Sequence, residues 1–156
     1  MTINCKGNLI DLTSPKVMGI LNITPNSFFD GGKYADENSV LQQVEKMLVD
    51  GATFIDVGAY SSKPNAEFVS ENEEISRLIP VIELILKNFP ETLISVDTFR
   101  ATVAKKAIEN GACIVNDISA GSLDENMMQT VAKLKVPYIM MHMKGNPQTM
   151  QSLAKY

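Results

Sequence analysis

The sequence predicts an α/β fold in which short parallel strands alternate with amphipathic helices. The apolar runs at 17–21, 53–57, 93–96, 112–115 and 138–141 are short and nearly continuous, as expected for strands that are buried on both faces. Segments with helical periodicity separate these runs. A strand–helix repeat of this kind predicts right-handed crossovers and a parallel sheet.

Length and composition restrict the class of protein further. The chain has 156 residues, of which 45% are hydrophobic and 21% are charged, which indicates one globular domain covering 1–156. No run of about 18 apolar residues is present, and the N-terminus lacks a signal-peptide pattern, so we expect a cytoplasmic protein without a membrane partner. The net charge of −4 argues against a nucleic-acid partner.

The cysteines and the histidine limit the metal chemistry that the chain can support. Cys5 and Cys113 lie far apart in the sequence and have no metal-site spacing, so they are interpreted as reduced thiols. His142 is the sole histidine, which excludes a multi-histidine metal site.

Capping residues predict where the first two helices begin and end. Asp36 is the expected N-cap of the first helix, and Gly51 follows its end. Ser70 and Glu73 form the pattern of a capping box at the start of the second helix. Pro80 lies within that second segment and predicts either a kink or a late start.

The remaining elements are predicted by weaker signals. A third helix is expected from about Thr98 to Gly111, and Asp124 is the expected cap of a fourth. Ahead of the first parallel strand, residues 3–12 alternate weakly around Lys6-Gly7-Asn8, which predicts a small hairpin.

Each predicted strand ends in polar residues, and two of the following connections are long. The polar residues are Asn22, Asp56, Asp97, Asn116 and His142. Because the carboxyl ends of parallel strands meet at one rim, we expect these side chains to converge. Any one of them could instead cap the next helix.

The two long connections, at 22–35 and 58–69, exceed the usual length of about 2–6 residues. Their hydroxyls, carboxylate and lysines suit an anionic substrate with a metal ion, although two solvated surface loops would look the same.

Several motifs carry a resemblance to a known family. Residues 18–32 read Met-Gly-Ile-Leu-Asn-Ile-Thr-Pro-Asn-Ser-Phe-Phe-Asp-Gly-Gly, followed in order by Asp56-Val57-Gly58, Ser95-Val96-Asp97-Thr98, Asn116-Asp117-Ile118-Ser119 and His142-Met143-Lys144-Gly145. This series resembles the signatures of the dihydropteroate synthase family and covers essentially the whole chain.

The resemblance implies a fold and an activity. Members of that family are TIM barrels that join 6-hydroxymethyl-7,8-dihydropterin pyrophosphate to p-aminobenzoate, release pyrophosphate with Mg²⁺, and are inhibited by sulfonamides. The expected partners are therefore the two small substrates, and the expected cofactor is Mg²⁺.

The same resemblance implies roles for individual residues. Asn22 would hold the Mg²⁺–pyrophosphate group, and the catalytic carboxylates would be Asp30, which faces the pterin cation, and Asp97. The pterin would be bound by Asp56, Asp97, Asn116, Ile118 and Met140. The p-aminobenzoate side would be lined by Ser62, Lys63 and Pro64, where Ser62 and Lys63 replace the threonine and arginine that are usual in the family.

The chain is short for this fold. A TIM barrel has at least about 200 residues, so we expect an incomplete barrel of about five β/α units with an N-terminal hairpin, namely the N-terminal part of a synthase. Turnover by this chain alone is not expected. An open barrel exposes a strand edge, which predicts a homodimer, another form of self-association, or rearrangement into a smaller doubly wound sheet.

Two other functions remain open at this point. The chain could be a pterin-binding module without catalytic activity. It could also be a binding domain with a flavodoxin-like fold, since five parallel strands fit in 156 residues, although no glycine follows the first strand until Gly31.

Overall fold

The computed structural model describes residues 1–23, 33–60, 69–146, 149–150 and 152–153. An antiparallel hairpin of β1 (Thr2–Cys5) and β2 (Asn8–Asp11) opens the chain, as predicted. The parallel strands are β3 (Val17–Asn22), β4 (Ala52–Gly58), β5 (Leu93–Asp97), β6 (Ile114–Asp117) and β7 (Tyr138–Met140). The helices are α1 (Lys33–Val49), α2 (Glu71–Asn88), α3 (Ala101–Glu109) and α4 (Met127–Leu134).

The five parallel strands form one sheet in the order β3-β4-β5-β6-β7, so each strand pairs with the next one along the chain. A doubly wound sheet reverses its strand order at a switch point, which excludes the flavodoxin-like alternative and the doubly wound rearrangement for the described residues. Sequential order is the topology of a TIM barrel. Within the described residues the barrel is not closed, because β3 and β7 each have one strand neighbour.

The second helix confirms the predicted capping box in part. Ser70 is the N-cap of α2, and its hydroxyl accepts a hydrogen bond from the backbone N–H of Glu73 at 3.3 Å. The helix begins at Glu71 and continues through Pro80, so the proline does not mark a late start. For α1, the prediction that Asp36 is the N-cap was wrong, because that helix begins three residues earlier at Lys33.

Asp124 lies at the starts of two helices. The fourth helix begins at Met127 with Asn126 as its N-cap, and Asp124 Oδ1 accepts a hydrogen bond from the Asn126 backbone N–H at 3.0 Å, as expected of a residue near that helix start. Asp124 Oδ2 accepts a hydrogen bond from the backbone N–H of Ala101 at 2.7 Å, which was not predicted. Arg100, the N-cap of α3, makes no capping bond with its side chain. The carboxylate that satisfies this helix start therefore comes from the connection after β6 rather than from the local sequence.

The two faces of the sheet bury different side chains. The face toward the helices is aliphatic: Ile55, Val57, Ile94, Val96 and Val115 are all fully buried there against α1 to α4. On the other face, which we call the inner face, a second cluster contains Cys5, Phe54, Cys113 and Ile114. Ile3, Ile10 and Met18 pack on this cluster, so the hairpin covers the amino end of the inner face.

None of the helices in the described residues has both the length and the apolar character needed to cross a bilayer.

Candidate functional site

Three of the five polar residues predicted at strand ends, Asn22, Asp97 and Asn116, lie in one row across the inner face. Asp56 lies in a neighbouring row, and His142 is exposed beyond the end of β7, outside both rows. In the register of the sheet, Asn22 lies beside Gly58, Gly58 beside Asp97, Asp97 beside Asn116, and Asn116 beside Ile139. Register partners on neighbouring strands have side chains on the same face of the sheet. We call Asn22, Gly58, Asp97, Asn116 and Ile139 the upper row.

A second row lies one pleat further from the carboxyl ends of the strands. Ile20, Asp56, Ser95 and Ile114 are register partners along it. The Asn116 side-chain amide donates a hydrogen bond to Asp56 Oδ2 at 2.9 Å, which joins β6 to β4 across the intervening strand. Asp56 is only 5% exposed, and its Oδ1 has no hydrogen-bond partner among the described residues, nor does the buried Ser95 hydroxyl.

Burial and crowding of negative charge dominate the electrostatics of these rows. Burial, together with the nearby charges of Asp56, Glu74 and Asp117, raises the pKa of Asp97 to about 7. Burial also raises the pKa of Asp56 above its ordinary value. The two carboxyl groups therefore hold protons more tightly than ordinary aspartates, and a ligand that supplies N–H donors would relieve this cost.

Gly58 gives the Asp97 side chain the space that it occupies. A Cβ atom at Gly58 would lie 3.2 Å from Asp97 Cβ and 3.3 Å from Asp97 Oδ2. Contacts this short would push the carboxylate away from its position beside Asn116. The geometry of the upper row therefore depends on glycine at position 58.

Asp117 follows Asn116 directly but points to the other face. Its fully buried carboxylate accepts hydrogen bonds from the Ser119 backbone N–H at 2.7 Å and hydroxyl at 2.8 Å, from the Gly121 N–H at 2.8 Å and from the Tyr138 hydroxyl at 2.6 Å. Four donors satisfy this carboxylate completely. Asp117 therefore holds the connection after β6 in place and offers nothing to a ligand.

Of the other predicted site residues, the structure describes only Ile118 and Met140. Ile118 is half-buried directly after β6, and Met140 is exposed at the end of β7, in register with Asp117 rather than with Asn116. Asp30, Ser62, Lys63 and Pro64 lie outside the described residues, so their roles stay predictions.

Five residues of the two rows were not predicted as site residues, namely Gly58, Ile139, Ile20, Ser95 and Ile114. The period-2 alternation of a strand would have found four of them, because each lies two residues from a predicted residue on the same strand. No predicted residue lies two positions from Ile139, so this signal does not find it.

Within the described residues, no group of three or more histidine, cysteine or acidic side chains is arranged to hold a metal ion. Asn22 is exposed at the edge of the upper row. Magnesium usually takes few protein ligands and completes its shell with water and substrate phosphate. A single amide oxygen at this edge fits an ion that arrives bound to a pyrophosphate group.

Comparison with known proteins identifies the family to which the chain belongs. Residues 18–156 match the family described as pterin binding enzyme, and the chain belongs to that family. Among its relatives is the mitochondrial folate synthesis bifunctional protein of Arabidopsis thaliana, which is 52% identical over 138 residues, covering 87% of this chain and 25% of the relative.

Solved dihydropteroate synthases resemble the chain in structure, which confirms the resemblance found in the sequence motifs. The Yersinia pestis dihydropteroate synthase in a sulfonamide drug complex matches with a TM-score of 0.86 and 40% identity over 100% of this chain and 56% of that one. The Xanthomonas albilineans enzyme in complex with 7,8-dihydropteroate matches with a TM-score of 0.77 and 35% identity over 92% of this chain and 52% of that one. The chain thus spans about half the length of these synthases.

Proposed function

We propose that this chain supplies the pterin-binding part of a dihydropteroate synthase. That enzyme condenses 6-hydroxymethyl-7,8-dihydropterin pyrophosphate with p-aminobenzoate and releases pyrophosphate. The observation that carries the proposal is the upper row, in which Asp97 and Asn116 are register partners on neighbouring strands, with the buried carboxylate of Asp56 bonded to Asn116. The match to a synthase in complex with 7,8-dihydropteroate supports the same ligand class.

The chemistry of the row suits a pterin. One edge of the pterin ring presents an amino group beside a ring N–H, and a carboxylate can accept both hydrogen bonds at once. Asn116 can donate to one ring atom and accept from another. Because burial and neighbouring charges raise the pKa of Asp97 to about 7, donors from the ring would favour its ionised form and lower that pKa on binding.

The proposed reaction breaks the C–O bond to pyrophosphate and forms a C–N bond with the aromatic amine, whose proton passes to solvent. Asp30 would stabilise the positive charge that develops on the pterin as the leaving group departs. Ser62, Lys63 and Pro64 would line the side from which p-aminobenzoate attacks. The family resemblance in the motifs around these residues supports these four roles.

Magnesium is the proposed cofactor. Asn22 would hold the Mg²⁺–pyrophosphate group at the edge of the upper row. When bound, Mg²⁺ neutralises charge on the leaving group. Chelation of Mg²⁺ should weaken binding of the pterin pyrophosphate and leave binding of the pyrophosphate-free pterin unchanged, as measured by calorimetry.

Because the chain spans about half the length of the synthases that it matches, we propose that it binds the pterin without turning it over. On this proposal the isolated chain acts as a non-catalytic pterin-binding module, and catalysis requires the longer synthase. Formation of dihydropteroate by this chain alone, measured with both substrates, would contradict that distinction.

The experiment that tests the proposal is calorimetry with 6-hydroxymethyl-7,8-dihydropterin. Asn116→Ala should weaken binding by at least about tenfold, the effect of one lost discriminating hydrogen-bond pair. Asn110→Ala is the matched control, because Asn110 ends α3 and its side chain bonds the Lys106 carbonyl on that helix. Equal affinities of the two variants, or no binding by the unaltered chain, would refute the proposal.

We also propose that copies of the chain associate through their strand edges. In the described residues β3 pairs only with β4, and β7 only with β6. Ile20 near one edge is 62% exposed and Ile139 near the other is 41% exposed, and such edges recruit other strands. Light scattering should show a dimer or larger species that Ile20→Lys shifts toward monomer, and a monomer at all concentrations would contradict association.

We propose a cytoplasmic location, which the two unbridged thiols support. The Arabidopsis relative is named as mitochondrial, so cell fractionation with an organelle marker distinguishes the two compartments.

A further inference from the structure

A buried carboxylate next to the candidate site has no role in the proposed function described so far. Glu74 lies in the first turn of α2 and is 0% exposed. Its Oε1 accepts a hydrogen bond from the Thr98 hydroxyl at 2.7 Å, and its Oε2 forms an ion pair with the Arg100 guanidinium. A charge buried to this extent is retained only when it is well paired, so these two contacts hold their residues firmly.

Arg100 extends the contact to the connection that follows β4. Its Nη2 donates a hydrogen bond to the Val69 carbonyl at 2.8 Å. Its guanidinium carbon lies 5.4 Å from the centre of the Tyr60 ring and 5.1 Å from that of Phe99, within the range of cation–π attraction. The two rings meet edge to face at 5.0 Å. Through Arg100, Glu74 is thereby linked to Tyr60 and Val69.

Thr98 links this network to the upper row. It follows Asp97 directly in the chain, and its backbone N–H donates to the Asn116 carbonyl at 3.0 Å. The Thr98 side chain is thus held by Glu74, while its backbone is held by the residue that lies beside Asp97. Glu74 also contributes to the negative potential that raises the pKa of Asp97.

We propose that Glu74 is a positioning residue for pterin binding, which fixes Thr98 and Arg100 so that Asp97 stays beside Asn116. This inference rests on the proposed function. It assigns no contact between Glu74 and the ligand, because the side chain is enclosed by α2 and the residues that follow β5.

The neighbouring residue on α2 supplies a matched control. Glu73 pairs with Arg77 on the same helix, and its side chain is 39% exposed. Glu73→Gln and Glu74→Gln each remove one charge and one ion pair from the first turn of α2. Only the second change reaches Thr98 and Arg100, so a difference between the two variants reports positioning rather than helix stability.

The test combines calorimetry with nuclear magnetic resonance. Glu74→Gln should weaken binding of 6-hydroxymethyl-7,8-dihydropterin by about tenfold or more, lower the pKa of the Asp97 carboxyl, and shift the side-chain amide resonances of Asn116. Glu73→Gln should leave all three unchanged. Thr98→Ser, which keeps the hydroxyl, should bind like the unaltered chain, whereas Thr98→Val should bind like Glu74→Gln.

Equal effects of the Glu73 and Glu74 substitutions, or unchanged affinity and resonances in Glu74→Gln, would overturn the positioning role. If Glu74→Gln fails to fold, the Thr98 pair decides the question, and equal binding by Thr98→Ser and Thr98→Val overturns it. If the unaltered chain binds no pterin, the proposed function fails, and the Asn116 and Asp97 resonances alone decide whether Glu74 positions them.

Discussion

The two faces of the parallel sheet bury aspartates in opposite ways. On the helix-facing side, Asp117 accepts hydrogen bonds from three residues and is saturated. On the inner face, Asp56 accepts one hydrogen bond from Asn116 and keeps a buried oxygen without a partner among the described residues. Among the residues that the structure describes, none donates a hydrogen bond that would offset the burial of Asp97. The aspartates of the two faces therefore differ in how completely their carboxylate oxygens are hydrogen-bonded.

This difference separates structural from ligand-binding carboxylates. A saturated buried carboxylate stabilises the fold, and its removal leaves several donors without an acceptor. An unsaturated buried carboxylate costs stability in the free protein and becomes favourable only when a ligand supplies donors. The carboxylates of the inner face have the second character, which is why the two rows are the candidate site.

The largest expected effect comes from testing the two faces with the same substitution. Asp117→Ala should lower the free energy of unfolding by about 3 kcal/mol or more, because the Ser119, Gly121 and Tyr138 donors would lose their acceptor. Asp56→Ala should change it by less than about 1 kcal/mol or increase it, since a poorly paired carboxylate is removed. Urea unfolding followed by circular dichroism measures both. Similar losses in the two variants would remove the distinction between the faces.

The second test uses pH on the inner face. The folded protein holds a proton on Asp97 up to pH of about 7, whereas the unfolded chain releases it near its ordinary pKa of 3.8. The free energy of unfolding should therefore fall as pH rises from about 4 to 7 and then level off. Asp97→Asn should remove this component and be more stable at pH 8 by up to about 4 kcal/mol, at about 1.4 kcal/mol per pKa unit.

The control for this pH test is the difference between the two proteins, because other groups titrate equally in both. A pH-independent difference between Asp97→Asn and the unaltered chain would mean that Asp97 has an ordinary pKa.

A pair of glycines sharpens the comparison on a smaller scale. Gly58→Ala should displace Asp97 and weaken pterin binding severalfold, with a stability cost of about 1 kcal/mol. Gly19 lies on the face of the sheet toward the helices, where the Cβ added by Gly19→Ala would lie 2.6 Å from the Met47 sulfur atom. That flexible side chain can move, so Gly19→Ala should cost a similar free energy and leave pterin affinity unchanged. Loss of affinity in Gly19→Ala would show that the two faces are not independent.

The smallest expected effect lies outside the sheet. Asp124→Ala removes the carboxylate that caps α3 and should lower the free energy of unfolding by about 1 kcal/mol, the usual value of an N-cap. Glu109→Ala is the control, because its contacts with Lys105 and Lys106 are 3.8 and 3.9 Å long and exposed, and no measurable change is expected. Pterin affinity should be unaltered in both variants.

The sequence was sufficient for the sheet and for most of the upper row, because hydrophobic periodicity and polar strand ends are local signals. The five strands lie where they were predicted, although β6 begins at Ile114 and extends through Asp117, two residues later than expected. That shift placed Asn116 and Asp117 on opposite faces of one strand. A list of polar residues at strand ends contains no such information until the register is known.

Features that depend on contacts between distant residues were missed. Asp124 caps α3 across a separation of 23 residues, and Glu74 pairs with Arg100 across 26. The sequence shows only that Asp124 precedes one helix and that Glu74 belongs to an acidic first turn. Which helix a carboxylate caps, and which of two adjacent glutamates is buried, depends on packing that local propensities do not encode.

The cysteines beneath the hairpin have a practical consequence. Cys5 on β1 and Cys113 before β6 are both buried, and burial raises the pKa of Cys113 to about 12. An alkylating reagent reacts with thiolates, so at neutral pH neither sulfur should be modified while the hairpin is seated. The rate of alkylation by iodoacetamide, followed by mass spectrometry, would then measure how often the N-terminal hairpin, residues 1–11, detaches from the sheet.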